Sequence, residues 1–159
     1  MIKINEEMIQ KLSLKAGVSE RRRLNHNFHQ SDADTMHRML NAMEPDTYIQ
    51  PHKHELPDKA EAFFCLRGRI AVIEYDDNGK VVDFILLDPL MGNFGCEIPP
   101  RRWHSIICLE PGSVAYEVKD GPYNVLVDKQ FATWAPAEGQ PSALDFNQKI
   151  LSEIGILNK

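Results

Sequence analysis

The spacing of hydrophobic positions is helical in the first seventeen residues of the chain. Asn5 can cap a helix there, and Gly17 supplies a stop. The apolar positions that recur on one side between them are Met8, Ile9, Leu12 and Ala16. This pattern predicts an N-terminal amphipathic helical arm within residues 1–20.

From residue 21 to residue 136 the pattern changes to short apolar or alternating runs that are separated by proline, glycine, asparagine and aspartate. The clearest hairpin joins Arg69–Tyr75 to Val81–Leu87 across an Asp-Asp-Asn-Gly turn. Closely spaced turn signals of this kind are typical of an antiparallel sandwich or barrel. We therefore expect residues 21–136 to form a β-barrel.

A second helical pattern follows in residues 137–159. Ser142 and Asp145 resemble a capping box, and Phe146, Ile150 and Ile154 recur at helical spacing. We expect this C-terminal helix to pack on the barrel. With no internal repeat and no long linker, the sequence predicts one all-β domain with a short helix at each end.

Composition narrows the range of partners. The chain has 159 residues, with 18 basic and 23 acidic side chains and a formal charge of −5. One domain of this length can form a sizeable core, and the acidic balance disfavours nucleic acid as a partner. The three cysteines form no C-x-x-C motif, and the N-terminus has no apolar leader pattern. We expect a cytoplasmic protein with no membrane partner.

Three histidines and one glutamate carry the strongest chemical signal: His52, His54, Glu61 and His104. In an extended chain, side chains two residues apart share a face, so His52 and His54 can point to one place. Glu61 and His104 could reach it from neighbouring strands. Imidazole nitrogens and a carboxylate suit one divalent transition metal ion and leave two octahedral positions open. Iron, manganese, nickel, cobalt and zinc all fit this ligand set.

The spacing of these residues resembles the two motifs of the cupins, a family of small β-barrels. The first motif is H-x-H, a spacer, Glu, six residues and Gly, which His52, His54, Glu61 and Gly68 match. The second, P-x-G-x-x-H, is matched by Pro99 to His104, with Arg101 in place of glycine. The spacer from His54 to Glu61 holds six residues, which is longer than usual. The resemblance implies a jelly-roll barrel in which the three histidines and Glu61 bind the metal.

Within the cupins, the sequence most resembles the WbuC family of metalloproteins. The resemblance extends from about Arg23 to Pro136 and rests on several short segments. They are Arg23-Leu24-Asn25, Arg38-Met39-Leu40-Asn41, Tyr48 with Pro51-His52, Ile98-Pro99-Pro100, Glu117-Val118, Gly121-Pro122-Tyr123 and Trp134-Ala135-Pro136. The WbuC resemblance implies a role in bacterial surface-polysaccharide (lipopolysaccharide O-antigen) synthesis, without an established reaction.

Five residues in these segments are candidates for substrate binding: Arg23, Asn25, Arg38, Tyr48 and Tyr123. Arginine recognises carboxylates and phosphates through paired hydrogen bonds, and a tyrosine hydroxyl can donate to a sugar. The alternatives are solvated arginines at the barrel rim and half-buried structural tyrosines. The sequence does not identify a catalytic base.

Three functional hypotheses remain open. The first is a metal-dependent isomerase or epimerase that acts on a sugar or sugar nucleotide. The second is an Fe(II)-dependent dioxygenase, and the third is a non-catalytic module that binds a small carbohydrate or anion. All three predict a small-molecule ligand, sugar-like or anionic. We also expect a homodimer to be accessible, because strand edges of such barrels often need covering.

Overall fold

The computed structural model describes residues 1–156 and confirms the prediction of an all-β fold with two short helices. The last three residues of the predicted C-terminal segment, 157–159, lie outside the described residues. The helices are α1 (Glu6–Gly17) and α2 (Ala143–Glu153), and a short 3₁₀ helix spans Pro89–Met91. The strands are β1 (Arg23–Asn27), β2 (Met36–Met43), β3 (His52–Lys53), β4 (Glu61–Arg67), β5 (Ile70–Tyr75), β6 (Val81–Leu87), β7 (Gly95–Ile98), β8 (Trp103–Cys108), β9 (Ser113–Asp120) and β10 (Gln130–Phe131).

Two five-stranded antiparallel sheets make up the barrel. The first has the strand order β1-β2-β9-β4-β7, and the second has the order β10-β3-β8-β5-β6. Consecutive strands alternate between the sheets at several points, so the two faces are held together by the chain itself. The predicted hairpin is confirmed as the β5–β6 pair.

The helix α1 covers the outer face of the first sheet. The Asn5 side chain accepts a hydrogen bond from the Met8 amide at 3.1 Å, which confirms the predicted cap. Ile9, Leu12 and Ala16 are buried against Leu40, Ala42 and Val114 of β2 and β9 in one apolar cluster. Burial of this stripe, more than helix propensity, stabilises so short a helix.

The helix α2 covers the second sheet in the same way. Ile150 and Leu151 pack on Ala71, Ile73 and Ile107 of β5 and β8. The predicted capping box is wrong, because the Ser142 side chain makes no capping hydrogen bond. Within residues 1–156, no helix combines the length and the apolar character needed to cross a bilayer.

The space between the sheets is divided into an apolar end and a polar end. The apolar end is one cluster that includes Phe63, Cys65, Ile70, Ile106 and Cys108. Cys65 and Cys108 are both buried there and behave as small apolar side chains. Glu61, His52 and His104 lie at the polar end. Glu61 and His104 come two to four residues before the apolar residues of β4 and β8, and His52 lies on β3, which pairs with β8.

Gly68 forms the tight turn that closes the apolar end of the barrel. Its φ is +78°, and a Cβ atom there would lie 2.2 Å from Ser113 Oγ and 2.8 Å from Ser113 Cα. No side chain fits between these strands. The glycine of the first motif is therefore explained by backbone packing as well as by backbone conformation.

We predict that Gly68→Ala lowers the free energy of unfolding by about 2–4 kcal/mol, because it adds overpacking to a positive-φ penalty. Gly92→Ala is the matched control, since Gly92 has a φ of +82° but no atom within 4 Å of the added Cβ. The control should lose only about 1–2 kcal/mol. Urea denaturation measures both variants, and equal losses would contradict the packing explanation.

Candidate metal centre

The register of the two sheets brings the four predicted ligands together. In the second sheet, His52 of β3 pairs with His104 of β8. In the first sheet, Glu61 opens β4 and pairs with Lys119 of β9. His54 follows directly after β3, two residues beyond His52 along the chain. Two imidazoles of the second sheet and that of His54 therefore face a single carboxylate from the first sheet, and all four side chains are buried.

The long spacer between His54 and Glu61 has a structural explanation. Glu55 and Asp58 form an isolated antiparallel bridge, so the extra residues fold back on themselves. Asp58 accepts a hydrogen bond from Arg101 Nε at 2.8 Å, and the Arg101 amide donates to the His54 carbonyl at 2.9 Å. Arg101 has a φ of +67°, so the arginine adopts the conformation that glycine has in the second motif.

The hydrogen bonds of the imidazoles leave one nitrogen of each ring free. His52 Nδ1 lies 2.9 Å from the Gln50 carbonyl oxygen, and His104 Nδ1 lies 2.9 Å from the Arg102 carbonyl oxygen. His54 Nδ1 faces the Asp128 carbonyl oxygen in the same way. A ring nitrogen that faces a carbonyl must carry the hydrogen, so in the neutral form of each ring the lone pair lies on Nε2. This second layer of carbonyls is the arrangement that orients histidine ligands around metals.

The free atoms converge on one point. His54 Nε2 lies 3.0 Å from Glu61 Oε1, and His104 Nε2 lies 2.9 Å from Glu61 Oε2. Three of these buried atoms, His54 Nε2, His104 Nε2 and Glu61 Oε2, have no hydrogen-bond partner among the described residues. Adjacent ligands about 2.1 Å from an octahedral ion are separated by about 3.0 Å. The candidate ligand atoms all lie within 4.8 Å of one another, so the cluster could hold a metal ion.

The electrostatics favour the protonation states that bind metal. Burial opposes the charge of Glu61, but contacts with His104 and His54 outweigh it and hold the pKa of the carboxyl well below its usual value. Burial also lowers the pKa of His52 well below that of a free imidazole. An ionised carboxylate and a neutral imidazole are the forms that donate electron pairs to a cation.

A buried ion network lies next to this cluster. Asp128 accepts from Lys119 Nζ at 2.8 Å and also binds Lys59, which comes from the long spacer. Lys119 Nζ lies 3.9 Å from Glu61 Oε1. The charges of Lys59 and Lys119 hold the pKa of Asp128 below its usual value against the effect of burial. Asp128 thus joins the spacer, β9 and, through its carbonyl, the ring of His54.

A cavity of about 650 Å³ opens beside the four-residue cluster. Its wall includes His52 and Glu61 and combines polar with apolar side chains. The side chains that make it polar near the cluster are Asn41, Glu117, Lys119, Tyr123, Lys129 and His37. Burial and the charge of Glu61 raise the pKa of Glu117, whose carboxylate accepts a hydrogen bond from Asn41. His37 is 2% exposed, and its Nε2 has no partner among the described residues.

The structure brings three of the five predicted substrate residues to this cavity: Arg23, Asn25 and Tyr123. Arg38 is not among its lining residues, because it lies on the outer face of β2 with Leu40. Tyr48 is also absent from the lining, since its hydroxyl donates to the Pro136 carbonyl at 2.7 Å. Arg23 lines the cavity but donates to Glu138 at 2.7 Å and to the Tyr48 carbonyl at 2.8 Å.

Sequence reasoning did not assign roles to Glu117, Lys119, Asp128 and Lys129. Glu117 and Lys119 alternate with residues of the outer face along β9, and that alternation was a usable signal. Asp128 and Lys129 follow an irregular segment, and only the fold shows that this segment returns to the cluster.

Comparison with solved structures shows the fold. The chain is 17% identical to the Staphylococcus aureus capsular polysaccharide assembling protein CapF, with a TM-score of 0.58 over 72% of this chain. It spans only 30% of the CapF chain. It is 14% identical to Cellulomonas parahominis L-ribose isomerase, with a TM-score of 0.56 over 78% of this chain and 71% of that one. It is 15% identical to KdgF from Halomonas sp., with a TM-score of 0.51 over 67% of this chain and 85% of that one.

These three proteins have the cupin fold, so the expected cupin jelly-roll architecture is confirmed. No curated protein sequence matches the chain. A family model described as "Domain of unknown function (DUF6016)" matches residues 4–87, which include the first motif and three of the four clustered side chains. Since this match covers more than half of the chain, the protein is a cupin-fold member of the DUF6016 family.

Proposed function

We propose that the protein is a metal-dependent isomerase or epimerase that acts on a sugar or sugar nucleotide. The observation that carries the proposal is the convergence of three buried imidazoles and one carboxylate beside a cavity whose wall includes His52 and Glu61. The cavity volume of about 650 Å³ lies in the range of small-molecule sites. L-ribose isomerase, whose structures include one with L-ribose, supports the substrate class by likeness of fold.

His52, His54, Glu61 and His104 are the residues that would hold the ion. A bound divalent ion supplies Lewis acidity, which polarises a carbonyl or hydroxyl oxygen. The carbonyls behind each ring fix the orientation of the imidazoles before any ligand arrives. The ligand set is compatible with iron, manganese, nickel, cobalt and zinc.

Glu117 is the group that we propose for proton transfer. It lines the cavity, its pKa is raised, and Asn41 donates a hydrogen bond to its Oε2 atom. A carboxylate with a raised pKa can take a proton from a sugar carbon and return it to the neighbouring carbon. Aldose–ketose isomerisation needs only this transfer and a matching shift of a hydroxyl proton, so no oxidant is consumed.

The WbuC resemblance adds a cellular context to this proposal. It favours a substrate from bacterial surface-polysaccharide synthesis, and CapF is likewise named as a capsular polysaccharide assembling protein. We therefore place nucleotide-linked sugars beside free aldoses in the substrate panel. A cytoplasmic location and a homodimer belong to the same proposal.

We predict that wild-type protein purified without added metal contains about one transition metal ion per chain. His52→Ala and His104→Ala should each lose most of it, because each removes one of four ligands. His26→Ala is the matched control, since His26 is exposed and is not part of the cluster. Elemental analysis measures all four proteins. Equal metal in wild type and both site variants would contradict the metal centre.

We predict that the metal-loaded protein exchanges the C2 proton of at least one sugar or sugar nucleotide in D₂O, which ¹H NMR detects. Glu117→Gln should lower this exchange by a factor of about 10²–10⁴, because it removes the proton acceptor. Its metal content should stay at the wild-type level, since Glu117 is not one of the four clustered ligands.

Three other results would contradict the proposed reaction. Oxygen uptake by iron-loaded protein without C2 exchange would favour the dioxygenase hypothesis. Saturable sugar binding without any conversion would favour the binding module. Full exchange in Glu117→Gln would leave the isomerase standing but would remove Glu117 from its mechanism.

A further inference from the structure

The cavity contains a cationic side chain that the metal centre does not use. Lys129 lines the cavity just before β10 and is half-buried. Among residues 1–156, no carboxylate oxygen lies within 4.0 Å of its Nζ atom, whereas Lys59 and Lys119 both contact Asp128. A partly desolvated ammonium without a partner is unfavourable, so its retention at this position calls for a ligand.

The arginine that the sequence offers as an anion receptor is already occupied. Arg23 Nη2 lies 2.7 Å from Glu138 Oε2, and Arg21 binds the other oxygen of the same carboxylate at 2.6 Å. Arg23 also donates to Thr47 and to the Tyr48 carbonyl. These contacts stabilise the rim of the cavity and leave the guanidinium few free donors.

The second available cation is Lys119. Two lysines, Lys59 and Lys119, share the single carboxylate of Asp128, so Asp128 alone balances only one of their two charges. Lys119 lines the cavity and lies 3.9 Å from Glu61 Oε1. Lys129 is near enough to Lys119 that burial and the positive charge of Lys119 together lower the pKa of Lys129.

These cations lie on opposite walls of the cavity. Lys119 comes from the first sheet, where it stands between His37 and Glu61 in one row across three strands. Lys129 precedes β10, the edge strand of the second sheet, which pairs with β3 next to His52. Neighbouring strands lie about 4.8 Å apart. A ligand group between Lys119 and Lys129 is therefore one or two strand spacings from the four candidate metal ligands.

We infer that the ligand of this cavity is an acidic sugar derivative whose carboxylate or phosphate binds between Lys129 and Lys119, while its hydroxyl or carbonyl oxygens reach the metal centre. The inference rests on the proposed function, because it takes the metal centre as the second anchoring point. The carboxylates of Glu61 and Glu117 do not oppose it, since Glu61 is matched by the metal and Glu117 faces the uncharged part of the ligand.

The test compares D-glucuronate with D-glucuronamide, a neutral analogue of the same size, by NMR titration of the metal-loaded protein. We expect glucuronate to bind with a Kd at least about tenfold lower than the amide. In Lys129→Met the two Kd values should agree within about twofold, whereas Lys129→Arg should keep most of the preference for the acid because it keeps the charge.

Lys80→Met is the matched control for net charge, since Lys80 is exposed in the β5–β6 turn and outside the cavity. It should retain the full preference for glucuronate. A parallel titration of D-glucose 6-phosphate against D-glucose shows whether phosphate or carboxylate is preferred. Circular dichroism confirms that Lys129→Met is folded, and bound metal confirms that its centre is intact.

The inference is overturned if wild type has no preference for either acid, if the preference survives in Lys129→Met, or if no sugar binds at about 10 mM. Its failure is separable from that of the proposed function. Lys129-dependent binding of acids without any C2 exchange would leave the anion site and remove the isomerase. C2 exchange of neutral sugars that is unaffected in Lys129→Met would leave the isomerase and remove the anion site.

Discussion

The polar end of this barrel depends on one constraint: a buried carboxylate faces buried imidazole nitrogens whose hydrogens point away from it. Backbone carbonyls behind His52, His54 and His104 each hold the hydrogen on Nδ1. In the neutral rings, the Nε2 lone pairs of His54 and His104 then face Glu61 oxygens at 3.0 and 2.9 Å. A shared cation satisfies all of these atoms at once, whereas an apolar occupant satisfies none of them.

The rest of the fold makes this constraint tolerable. The apolar cluster around Phe63 and Ile106 and the two helices, which cover opposite outer faces, provide the stability that a group of buried charges does not. Asp128 then fixes the polar end from behind, since its carboxylate binds both Lys119 and Lys59 while its carbonyl orients His54. The long spacer of the first motif is thus part of the site, because it delivers Lys59 to this network.

The sequence predicted the architecture well where local patterns determine it. The strands between closely spaced turn residues, the Asn5 cap and the β5–β6 hairpin followed from local turn and capping chemistry. It failed where long-range contacts decide. Ser142 lies in a helical conformation and does not cap, Arg38 lies on the outer face of its strand, and Arg23 is bound to Glu138 from the other end of the chain. Lys129 and Asp128 could not be found from the sequence, because their position depends on an irregular segment that returns to the metal ligands only in the folded barrel.

The most direct test of this account is a crystal structure of the protein purified without chelators, with anomalous diffraction recorded on both sides of the absorption edge of the metal found in the sample. The account predicts one anomalous peak between Glu61 and the three imidazoles, about 2.1 Å from each Nε2 atom, with at least one further position facing the cavity. A structure of wild-type protein without a peak there after metal reconstitution, or with Nε2 of His54 and His104 protonated and donating to Glu61, would contradict it.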